Sequence, residues 1–125
     1  MNQIQKKRLL NVSKALRESK EATKAFNMRE YFSMCGTPAC ALGHYIARKD
    51  LQKTFVRSYD VSDGIYGFCT LNDSALLAFD YDVVQKHFGI DEDEAHDLFG
   101  MYGCNSAGDA VTAADFIEQF VKDRS

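Results

Sequence analysis

The sequence predicts a mainly α domain, a compact bundle of about five helices around a central helix at residues 38 to 49, with a small β-hairpin or irregular insertion near 54 to 71. Three observations lead there. Apolar residues recur at three- and four-residue spacing through most of the chain, the period of an amphipathic helix. The C-terminal half is punctuated by acidic caps before, and glycines after, its periodic segments. Finally, the stretch 34 to 49, MCGTPACALGHYIARK, has small or apolar residues on two sides and so belongs at the centre.

Residues 3 to 19 read as the first helix, with Leu9, Val12 and Leu16 as its apolar stripe, joined by Ile4, Leu10 and Ala15. The other face holds a basic cluster, Lys6, Lys7, Arg8, Lys14 and Arg17, read as a solvated surface because no aromatic is interleaved with it. Residues 20 to 33 begin polar and end in Phe26, Met28, Tyr31 and Phe32, an apolar clasp beside the central helix. That helix opens with Thr37 as a hydroxyl cap and Pro38 at the first helical position, where a missing N–H costs nothing. Successive residues turn by roughly 100°. Ala41, Leu42, Tyr45 and Ile46 therefore share one face, and Cys40, His44, Ala47 and Leu51 the opposite one.

Segments Thr54 to Val61 and Ile65 to Leu71 flank a Ser62-Asp63-Gly64 turn signal, which suits a hairpin or a long loop. Asp80 or Asp82 caps a helix running to about Phe88, and Gly89 ends it. Asp91 caps the next helix with Glu94 as its capping-box partner, leaving Ala95, Leu98 and Phe99 as the apolar face. Residues 103 to 111 read as a loop and Thr112 as the cap of a last helix, with Phe116, Ile117, Phe120 and Val121 buried. Leu98 to Phe120 has the rhythm of an EF-hand, but Cys104, Ser106 and Gly108 stand where calcium would need carboxylates or amides.

Length and composition set bounds. Residues 1 to 125 suffice for one domain with a real core and no disulfide or metal staple. With no run of 18 apolar residues and no basic-then-apolar start, neither a membrane span nor a secretory signal is expected, and the default setting is cytoplasmic. Cys35, Cys40, Cys69 and Cys104 are then thiols or ligands rather than bridges. The net charge of −3 divides unevenly: residues 1 to 24 balance at +5 and the remainder at −8, and Lys86 is the one Lys or Arg among thirteen acids between 58 and 121. Such a field repels nucleic acid, leaving the basic N-terminal helix as the sole candidate for contact with it, and attracts basic partners.

Two groups of residues could carry function. Asp91, Glu92, Asp93, Glu94 and Asp97 form an acidic surface suited to a protein partner. Cys35, Thr37, Cys40 and His44 are the alternative, a metal or small-ligand site. Cys40 and His44 are one turn apart, Cys35 precedes the helix start, and Cys69 or Cys104 could complete a zinc set. The spacing matches no compact zinc pattern, and a cysteine nucleophile here would lack a strand-borne base, so neither a cofactor nor a catalytic residue is assigned. Buried thiols and a core histidine account for the same residues.

The motif Cys35-Gly36-Thr37-Pro38-Ala39-Cys40-Ala41-Leu42-Gly43-His44 is preceded by Phe26-Asn27-Met28. It is followed by Phe88-Gly89-Ile90, then Glu94-Ala95 and Leu98-Phe99. This pattern resembles a family of short, functionally uncharacterised proteins encoded by phages and bacterial genomes, over about residues 9 to 121. The resemblance implies a phage or mobile-element accessory protein in a bacterial cytoplasm, and transfers no catalytic residue. Taken together, the expectation is a non-enzymatic binding protein, an accessory or inhibitor of a host protein acting through its acidic surface.

Overall fold

In the computed structural model, residues 2–18, 41–60, 65–70, 81–99 and 110–124 are described. Among them the chain forms α1 (Gln3–Glu18), α2 (Ala41–Ala47), β1 (Phe55–Asp60), β2 (Ile65–Thr70), α3 (Tyr81–Phe88), α4 (Glu92–Phe99) and α5 (Ala110–Asp123). The expected helical bundle with a small hairpin is what forms.

α1 begins with a capping box that the sequence reading passed over. Asn2 Oδ1 accepts from the Gln5 amide at 2.8 Å, and Gln5 Oε1 accepts from the Asn2 amide at 2.9 Å. Leu9, Val12, Ala15 and Leu16 are buried as expected, but Ile4 and Leu10 are exposed. Both sit at the margins of the apolar arc, where they remain exposed. α1 packs most extensively on α5, then on α2 and α3. Ser13 Oγ donates to Glu118, and Arg17 pairs with both Glu118 and Asp115. These contacts run in opposite chain directions, so α1 and α5 are antiparallel.

α2 is buried along Ala41–Ile46, including Gly43 and His44, as two-sided burial requires. Residues 38 to 40, where the helix start was expected, lie outside the described residues. The helix ends at Ala47, not Lys49, and Ala47 is exposed. The Arg48 amide already turns back to Tyr45 O at 3.1 Å, while its guanidinium grips Asp50 at 2.7 Å and Glu18 at 3.0 Å. Gln52 then joins helix to hairpin. Its Nε2 donates to Ile46 O at 2.8 Å and Phe55 O at 3.0 Å, and its Oε1 accepts from the Phe55 amide at 2.8 Å. Three backbone groups at a buried junction are thereby satisfied.

β1 and β2 pair antiparallel, from Phe55 opposite Thr70 to Asp60 opposite Ile65. This register puts Phe55 and Phe68 diagonally on one face, their rings edge-to-face at 5.3 Å. α3 closes on Gly89 at φ 66°, the left-handed conformation that glycine adopts without strain. α5 starts at Ala110, so Thr112 lies inside its first turn and is not the cap. Ala110, Ala113, Ala114, Ile117 and Val121 form the buried stripe, because three alanines let α5 approach closely. Phe116, one residue off that stripe, is turned outward to 43% exposure, and Phe120 is only partly buried. One core unites all five described helices and the hairpin.

Candidate interaction surface

α4 is built from its first residue as the sequence suggested. The Asp91 amide donates to Glu94 Oε1 at 3.0 Å and the Glu94 amide to Asp91 Oδ1 at 2.8 Å, a reciprocal capping box. Ala95, Leu98 and Phe99 point into the core. The first-turn acids Glu92, Asp93 and Glu94 also suit the positive end of the helix dipole.

The five candidate acids separate into two sets. Asp91 and Glu94 serve the fold, Glu94 twice over, since its other oxygen pairs with Arg124. Arg124 in turn lies 3.6 Å from the centre of the Phe120 ring, so Glu94, Arg124 and Phe120 bind the start of α4 to the end of α5. Glu92, Asp93 and Asp97 face solvent, Glu92 at 4.0 Å from His96 one turn on. Asp97 follows Glu94 by three residues on α4 and Phe116 precedes Phe120 by four on α5, so each lies one turn along its own helix from the tie through Arg124. The two helices joined by this tie therefore carry an exposed aromatic ring, Phe116, and exposed carboxylates outside the capping box.

The other candidate group is only partly in view. Cys35, Thr37 and Cys40 lie outside the described residues. His44 is buried on α2, and among the described residues no three His, Cys, Asp or Glu come together to hold a metal. Cys69 is a buried free thiol on β2. A shallow concavity of about 280 Å³ beside the end of α2, lined by Ile46, Ala47, Lys49, Val56 and Arg57, contains none of the candidate residues.

The polar centre of the molecule is a pair the sequence reading did not single out. Tyr45 Oη and His87 Nε2 share a hydrogen bond of 2.7 Å in the core. The His87 ring is enclosed by Phe55 and Phe88, with centroids at 4.9 and 4.7 Å. Burial, reinforced by the Arg8 charge, pushes His87 down to about 4. Burial also raises the Tyr45 hydroxyl well above the usual tyrosine range, against the opposing effect of Arg8. The pair is neutral at pH 7, as a buried polar contact without a counter-charge must be. Arg8, expected on a solvated face, instead donates to the His87 carbonyl at 2.8 Å. The available signal was position: His87 follows Val84 by three residues and adjoins Phe88, on the inward stripe of α3.

The described residues form a small helical domain with a two-stranded hairpin, with exposed carboxylates on α4 and an exposed aromatic ring on α5. Comparison with protein-family models, curated proteins and solved structures finds no match to this chain. No described helix is long and apolar enough to cross a membrane.

Proposed function

We propose that this chain is a non-enzymatic binding protein whose α4–α5 edge docks on a basic surface of a host protein and inhibits it, as a phage or mobile-element accessory would in a bacterial cytoplasm. The observation that carries the reading is the division of the acids. Asp91 and Glu94 are committed to capping and to Arg124, whereas Glu92, Asp93 and Asp97 stand exposed on α4 and Phe116 stands exposed on α5. Exposed aromatic rings anchor protein interfaces, and surrounding charges steer a partner of opposite sign and fix its register. The mobile-element provenance and the bacterial setting rest on the motif around Cys35 to His44.

The test keeps the capping box intact. The native chain and a Glu92→Lys, Asp93→Lys, Asp97→Lys variant are immobilised separately in bacterial lysate, and captured proteins are quantified by mass spectrometry. A basic host protein enriched by the native chain, and reduced at least tenfold on the folded variant, is the expected result. Equal capture by both would remove this edge as the binding surface.

A further inference from the structure

The N-terminal basic cluster also divides into residues held by direct contacts to the fold and residues that face solvent. Arg8 holds the His87 carbonyl and Arg17 holds Asp115 and Glu118, but Lys7 and Lys14 face solvent. Seven residues apart, they lie on nearly one line along α1, about 10 Å from each other. Ile4 and Leu10 stand on the two shoulders of that line, 65% and 43% exposed. An exposed helix face of lysines flanked by apolar side chains is composed like a segment that docks on an acidic, apolar surface. The α4–α5 side has the inverse composition, with Asp93 and Asp97 exposed one turn apart on α4 and Phe116 exposed on α5.

We propose that the α1 face of one copy docks on the α4–α5 edge of a second copy of this chain. The inference rests on the reading of that edge as a docking surface, and charge complementarity selects the occupant. The first 24 residues balance at +5 and the remainder at −8, so each copy carries both halves of the contact. Because the two faces belong to different elements, the contact either closes as a reciprocal, isologous pair or propagates heterologously from copy to copy. An edge covered in this way cannot hold a host protein, so self-association and capture compete.

Sedimentation velocity on the full chain, from micromolar to millimolar concentration at low and at high salt, tests this. At low salt the weight-average mass should rise with concentration to at least twice 14.1 kDa, returning toward 14.1 kDa at high salt. A Lys7→Glu, Lys14→Glu variant and an Asp93→Lys, Asp97→Lys variant should each remain at 14.1 kDa, and an equimolar mixture of the two should associate again. Circular dichroism and unfolding midpoints establish that both are folded; if Asp93→Lys disturbs the first turn of α4, Asp97→Lys alone serves. A native chain that stays at 14.1 kDa throughout, or reversal variants that associate as the native chain does, would overturn the proposal. Lys7→Glu, Lys14→Glu should retain host capture, which separates failure of this contact from failure of the edge.

Discussion

The centre of the core and the α4–α5 edge handle polar side chains in opposite ways. In the core, Tyr45 and His87 are buried, neutral and bonded to each other, and the surrounding rings leave them no access to a partner. At the edge, charged groups are exposed, and only some are tied into the fold. A perturbed titration in the core reports structural burial, whereas carboxylates that no cap or ion pair employs are open to another molecule.

Disrupting the core should have the largest effect. Phe88 is fully buried and its ring touches those of Tyr45, His87 and Phe99. Phe88→Ala is expected to cost about 4 kcal/mol, and urea unfolding would show the midpoint falling accordingly. A loss under about 1 kcal/mol would mean the centre is loosely packed.

The next effect is a pH dependence of the core. With a folded-state value of about 4 against an ordinary 6.5, His87 binds fewer protons in the folded chain. Its contribution is therefore fully present above pH 6.5 and is lost as pH falls from 6.5 toward 4. The full loss amounts to about 3 kcal/mol. Glu118 is held below the ordinary carboxylate value by Arg17 and Ser13, so its contribution declines only in a lower pH range. Unfolding curves between pH 7 and 4 should show the decline, and a Tyr45→Phe, His87→Leu variant should flatten it across that interval.

A smaller change is expected where core and helix ends meet. Gly89 closes α3 at φ 66°, and a Cβ there would clash with the side-chain amide of Gln5. Gln5 is a long side chain that can withdraw, giving up its cap on Asn2, so Gly89→Ala should cost about 1 to 2 kcal/mol through strain and the lost cap. Gly89→Asn, which tolerates this conformation better, should cost less if backbone strain is the larger part.

Much of the fold was legible because its signals are local. The Asp91–Glu94 capping box, the glycine after Phe88 and the stripe Leu9, Val12, Leu16 depend on residues within a turn or two of one another. What could not be read depends on which elements meet. Gln52 looks like any linker residue until Ile46 and Phe55 are placed around it. Arg8 resembles its lysine neighbours until α3 brings the His87 carbonyl within reach. Phe116 has the hydrophobicity of a core residue, but the small alanines of α5 set the inward face and leave it outside. The acidic surface was visible as composition and its capping box as spacing, yet the second tie of Glu94, to Arg124 thirty residues away, depends on where α5 ends.

The division into capping and exposed carboxylates is the claim on which the account depends, and a pair of urea titrations tests it most directly. Asp91→Ala, Glu94→Ala removes the capping box and the tie to Arg124, and should lower stability by about 2 kcal/mol. Asp93→Ala, Asp97→Ala should change it by less than about 0.5 kcal/mol, the range of surface substitutions. Equal losses from the two variants would contradict the account, because all four carboxylates would then be serving the fold.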